Sequence, residues 1–167
     1  TQARYVLPPV IRHFSRDYPE VDVQIHQGNP QQLVEMVVRD AVDISICTEA
    51  LAQHPELHAI DSYQWNRCLI AAPDHPVFEA HSMTLKQLAQ FPLITYVFGF
   101  SGRGHLNQAF VSEGLQPRIA LSAADTDVIK TYVREGLGIG IIADLAFDAW
   151  DDSDFRQCDL SHLFQWE

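Results

Sequence analysis

The sequence predicts an α/β protein built as two lobes with a ligand cleft between them, and three observations carry that prediction. Helical and extended apolar patterns alternate along the chain, the order that builds sheets covered by helices. Three apolar runs end at hydroxyls or helix-capping residues: 43–47 leads into Thr48, 93–100 into Ser101, and 119–123 into Asp125 and Thr126. Open α/β sheets take ligands at such strand ends, where helix N-termini turn unpaired amides outward. The same logic then restarts near residue 61 without sequence repetition, which sets one lobe at 1–60 and a second at 61–163.

Each element has its own signal. Val6, Leu7, Val10, Ile11 and Phe14 fall at helical spacing over 3–18, with Pro8 and Pro9 in the first turns and Tyr18-Pro19 as the stop. Residues 21–27 alternate apolar and polar as a strand does, and Gly28-Asn29-Pro30 offers a turn, an N-cap and a proline at the first helical position. Leu33, Val34, Val37 and Val38 form the inner face of the next helix, and 42–47 is expected as the returning parallel strand. In the second block a strand is expected within 63–73 and a short helix over 84–90. A strand over 93–98 then leads past Gly99, Gly102 and Gly104 to a helix buried through Leu106, Phe110 and Val111 and closed by Gly114. The strand 119–123 precedes a helix capped by Asp125 or Thr126, with Val128, Ile129, Tyr132 and Val133 inside and Gly136 at its end. Residues 137–143 return as a strand.

Composition excludes several classes. The chain has 167 residues, 47% hydrophobic and 20% charged, enough for one full core or two small ones. A formal charge of −11 argues against this segment gripping a phosphate backbone. The acidic residues Asp144, Asp148, Asp151, Asp152, Asp154, Asp159 and Glu167 stand against Arg156 alone and are expected as a solvated acidic surface. Apolar stretches fall far short of the roughly 20 residues that cross a bilayer, and no leader is visible, so a cytoplasmic location without membrane contact is expected. Cys47, Cys68 and Cys158 have no CxxC pairing and suit a reducing compartment. The eight histidines scatter, and the i, i+4 pair His54 and His58 straddles Pro55 in a loop, so no metal site is expected.

Thr48 and Ser101 each have a bland reading, as a strand-end turn residue and a helix N-cap, beside a ligand-binding one. Arg103, one turn into its helix, could steer an anion or form a surface ion pair. Thr126 could line the cleft from the third strand end. Residues 99–103 superficially suggest a nucleophile elbow around Ser101. Arg103 stands where the elbow's second glycine belongs, and no His and Asp partners are placed, so no catalytic residue and no enzyme is expected. The run LGIGI lacks the spacing of a phosphate cradle and reads as close strand packing.

The segments TQARYVLPPVI, FSRDYP, HQGNPQQL, VDISICTEAL, YQWNR, PLITYVFGFSGRG and DTDVIKTYVREGLGIGIIA together resemble the effector-binding domain of LysR-type transcriptional regulators, nearest the CysB/Cbl-like branch. The resemblance covers nearly the whole chain. It implies a fold like that of periplasmic binding proteins and an effector held between the lobes. It also implies self-association as dimer or tetramer, and promoter DNA bound only through an N-terminal winged helix-turn-helix that this chain lacks. In that branch the effector is acetylserine or a sulfur oxyanion such as sulfate or thiosulfate, and Cbl-like members respond to adenylylsulfate, with no further cofactor. Position by position, the ligand residues fall on Thr1, Gln2, Thr48 and Ser101. Ser101 stands where the family usually has threonine, which keeps the hydroxyl and drops a methyl. The resemblance also implies that 164–167 begins a crossover back to the first lobe, leaving that lobe truncated here. A stand-alone anion-binding or solute-binding protein of the same fold would share this chemistry.

Overall fold

The computed structural model describes residues 1–47, 54–79, 82–97, 103–164 and 166, with backbone only for Arg103. The chain divides into two compact units, Thr1–Asp61 and Ser62–Glu167.

The first unit is helical among its described residues. The helix expected over 3–18 is split into α1 (Gln2–Tyr5) and α2 (Leu7–Asp17), with Val6 at φ −109° between them and two prolines in the first turn of α2. Tyr18 ends α2, its N–H donating to Phe14 O at 2.8 Å and its ring lying 5.0 Å from that of Phe14 at a tilt of 35°. Helix α3 (Pro30–Val38) starts as expected, with Asn29 and Gln32 exchanging side-chain and backbone hydrogen bonds in a capping box behind Pro30. Val34 is fully buried in it while Val38 is exposed.

The strands expected at 21–27 and 42–47 do not form. Both segments carry no ladder among the described residues, and Val21, Val23, Ile25, Ile44 and Ile46 are exposed. Alternation selects an apolar face, but a strand is made by a ladder to a neighbouring strand, and neither segment forms one among the described residues.

The second unit is built on a five-stranded sheet: β1 (Arg67–Ala71), β2 (Leu93–Tyr96), β3 (Ile119–Ala123), β4 (Ile139–Ala143) and β5 (Arg156–Asp159), in the order β3-β2-β4-β1-β5. β2 runs parallel to β3 and β4, whereas β1 is antiparallel to β4 and β5. Three helices accompany it: α4 (Leu85–Leu88), started by a Thr84/Gln87 capping box, α5 (Arg103–Ser112) and α6 (Thr126–Arg134). Gly114 and Gly136 close α5 and α6 at φ 68° and 74°, the left-handed conformation that glycine adopts without a steric cost.

One sheet face buries Leu69, Leu93, Ile139 and Ile141 against Leu85, Leu88, Leu106, Phe110 and Phe164. The other receives α6, which packs across β1 to β4. On α6 the buried positions are Thr126, Ile129, Lys130 and Val133, an i, i+3, i+4, i+7 stripe. Val128 and Tyr132, expected inside, lie off that stripe and are exposed, as is Val111 on α5. The glycines of LGIGI serve close packing. A Cβ on Gly138 would sit 2.1 Å from Pro92 O, and one on Gly140 would sit 2.7 Å from Ile70 Cγ1 and 2.9 Å from Val133 Cγ2.

Candidate functional site

The parallel strands β2, β3 and β4 end together at Tyr96, Ala123 and Ala143, and β1 begins at the same edge because Arg67 pairs with Ala143. A single phenol ties these ends. Tyr96, 3% exposed, accepts the Ala143 N–H at 3.2 Å and lies 2.7 Å from Thr126 Oγ1. The last residues of two strands and the first residue of α6 thus share one hydrogen-bonded cluster. Asp125 caps α6 by accepting the Asp127 N–H at 2.7 Å, so the N-terminal amides of a nine-residue helix lie at this edge.

Trp65, Asn66 and Arg67 enter from β1. Asn66 is fully buried, donating from Nδ2 to Phe164 O at 3.2 Å and accepting the Arg67 N–H at 2.7 Å. The Arg67 guanidinium, buried with its side chain, lies 5.4 Å from the centroids of both the Trp65 and Phe164 rings.

Behind the edge, the acidic stretch expected as solvated surface is partly internal. Asp152, 2% exposed, takes the Lys130 ammonium on Oδ2 at 2.6 Å and the Asp148 N–H at 2.9 Å, while Lys130 also donates to Ala146 O at 2.7 Å. Arg134 grips Asp154 through Nε at 2.6 Å and Nη2 at 3.1 Å, which holds that carboxyl below the ordinary range. The cations Lys130 and Arg134 come from α6, far enough back in the sequence that a local charge count misses them. Burial pushes the Cys68 thiol up to about 12, which leaves it an inert small hydrophobe.

The ligand residues implied by the resemblance are placed unevenly. Thr1 is the N-cap position of α1, its carbonyl accepting from Arg4 and Tyr5 N–H, and Gln2 opens that helix. Thr48 and Ser101, and with them the elbow-like 99–102, lie outside the described residues. Arg103 is the first residue of α5. Thr126 is buried beside Tyr96. Sequence reasoning missed Tyr96, Trp65 and Arg67. The signal for Tyr96 and Arg67 was present as a strand-end tyrosine in LITY and a cation opening the apolar run RCLIA. Among the described residues no group of three or more His, Cys, Asp or Glu could hold a metal, and no helix is long and apolar enough to cross a membrane.

A mixed sheet whose parallel strand ends gather hydroxyl, indole and amide donors belongs to the class of α/β ligand-binding domains, with the periplasmic-binding-protein-like fold of LysR effector domains. The chain belongs to the LysR substrate binding domain family, which it matches over residues 1–162 and which is a family of binding domains rather than enzymes. It is 47% identical over 99% of its length to the HTH-type transcriptional regulator CysB of Haemophilus influenzae, of which it covers 51%. It is 41% identical over 98% of its length to the HTH-type transcriptional regulator cbl of Escherichia coli K12, of which it covers 52%. The chain therefore spans about half the length of the curated relatives it matches. The solved cofactor-binding domain of the Cbl transcriptional regulator superposes with a TM-score of 0.94 at 40% identity, covering 99% of this chain and 72% of that one. The QuiR effector-binding domain, solved in complex with shikimate, shares the fold at 16% identity over 95% of this chain and 76% of that one, with a TM-score of 0.79.

Proposed function

We propose that this chain is the effector-sensing domain of a LysR-type regulator of sulfur assimilation and cysteine biosynthesis. Its effector is a small sulfur-pathway metabolite or oxyanion, acetylserine, sulfate or thiosulfate, and its occupancy controls DNA binding and transcription. The observation that carries this reading is the extent of the likeness to CysB and Cbl regulators, which runs through both units at 40% identity or more. Strand-end donors suit such a ligand, since neutral hydroxyls and helix amides hold an oxyanion without a full counter-charge.

In this reading 1–60 and 61–163 are the two lobes, and 164–167 begins a return toward the first. Thr1, Gln2, Thr48 and Ser101 hold the effector, with Arg103 and Thr126 as lesser contributors. Ligand acts through its differential affinity for lobe arrangements, which biases a dimer or tetramer. Promoter DNA is met by a separate N-terminal domain of the cytoplasmic regulator, because a segment of charge −11 is a poor partner for phosphates.

Thermal unfolding with and without ligand tests this assignment. A ligand at 100 times its Kd stabilises the folded state by about 2.7 kcal/mol, so the wild-type Tm rises with acetylserine or sulfate. Thr48→Met fills the site and abolishes that rise. An equal rise in the variant would remove Thr48 from the site.

A further inference from the structure

We propose that Tyr96 is a positioning residue of the effector site, its phenol setting how far the ends of β2 and β4 stand apart and so where the chain departs toward Ser101. The inference rests on the effector-binding reading, in which Ser101 holds the ligand. β2 pairs with β3 as far as Tyr96↔Ala123, and Val97 N–H still donates to Ala123 O at 3.0 Å. Toward β4 the ladder stops sooner, at Ile94↔Gly140, although β4 runs on to Ala143. A parallel ladder carried further would bond the Tyr96 backbone to Ile141 O and to the Ala143 N–H. Side chains take both of those atoms instead. Thr95 Oγ1 donates to Ile141 O at 3.0 Å, and the Tyr96 phenol oxygen accepts the Ala143 N–H at 3.2 Å.

A ladder holds neighbouring strands about 4.8 Å apart, whereas a phenol reaches across a wider gap. The gap has a defined place in the topology. From β2 the chain crosses by α5 to β3 on one side, and from β3 it crosses by α6 to β4 on the other. β2 and β4 therefore flank the point where the winding reverses, the crevice in which open α/β sheets take ligands. The same phenol lies 2.7 Å from Oγ1 of Thr126, the first residue of α6, and both side chains are buried. Without its oxygen the buried Ala143 N–H loses this acceptor, and the strand ends must shift to supply another. Tyr96 is the last residue of β2, and the connection from it to α5 carries Ser101.

Calorimetry on the 167-residue chain measures acetylserine, sulfate and thiosulfate separately. Tyr96→Phe keeps the ring and removes the oxygen, and it is expected to weaken whichever ligand the wild type binds about tenfold, the scale of one hydrogen bond. In the ligand-free 15N-labelled protein the same change is expected to move the Ser101 amide signal. Val77→Ala opens a cavity in the core at the short 3₁₀ turn Pro76–Glu79; it lowers the Tm and is expected to leave both readings at their wild-type values. If Tyr96→Phe does not fold, Thr126 decides the matter: Thr126→Val weakens binding, Thr126→Ser keeps the hydroxyl and the wild-type affinity, and equal affinities in the two overturn the proposal. An unchanged Kd or a stationary Ser101 signal in Tyr96→Phe, or an equal loss in Val77→Ala, overturns the proposal and leaves the effector reading standing. No saturable heat from the wild type with any of the three ligands overturns the effector reading and this proposal with it.

Discussion

Asp152 shows how one side chain organises the region behind the strand ends. Its carboxylate neutralises Lys130 and accepts the Asp148 N–H, while the ammonium it pairs with also reaches Ala146 O. Breaking such a buried pair leaves one charge stranded, so Asp152→Ala is expected to cost about 3–5 kcal/mol in urea unfolding. Replacing both partners, Lys130→Met with Asp152→Leu, recovers most of that loss. A cost under 1 kcal/mol for Asp152→Ala would show the pair to be solvent-relaxed. The neighbouring Asp154 makes a pH prediction. Its hydrogen bond to Arg134 lowers its folded pKa below the ordinary 3.8. Its stabilising effect is therefore present above about pH 3.8 and is lost as the pH falls through the lower folded value. Asp154→Asn should flatten the acid limb of the stability profile and leave its shape near pH 7 unchanged; an acid limb as steep as wild type would refute the assignment.

At the scale of elements, what was legible in the sequence followed local rules, and what was not depended on distant partners. The caps at Asn29, Thr84 and Asp125 are written within three residues of the helices they start, and β1 to β4 are short apolar runs between turn signals. β5 was hidden because RQCD has no apolar pattern; it is an edge strand held by pairing with β1. The segments 21–27 and 42–47 failed in the opposite way, with a clear pattern and no strand ladder among the described residues. Lys130 was read past because a charged residue in an apolar stripe is ordinarily a surface residue. The candidate site was legible only as strand ends and hydroxyls, since Tyr96 meets Thr126 across 30 residues of sequence and Ala143 across 47. The packing reading of LGIGI makes its own prediction. Gly138→Ala would drive a methyl into Pro92 O, where Ile139 N–H now donates at 2.9 Å, so β2 and β4 must separate. The expected loss is at least the 1–3 kcal/mol typical of overpacking, measured by thermal unfolding, and an unchanged Tm would contradict it.

For the molecule as a whole, a binding fold carries a formal charge of −11 that disfavours nucleic acid, so within the proposed function this chain is assigned the sensing part. Sensing then requires that this chain bind a sulfur metabolite by itself with measurable affinity. Calorimetric titration of the 167-residue chain with acetylserine, sulfate, thiosulfate and adenylylsulfate, with shikimate as an unrelated acid, measures that directly. The account predicts saturable heat with at least one sulfur-pathway ligand, none with shikimate, and loss of the signal in Thr48→Met and Ser101→Ala. Saturable binding of shikimate alone, or no binding of any sulfur ligand, would contradict it.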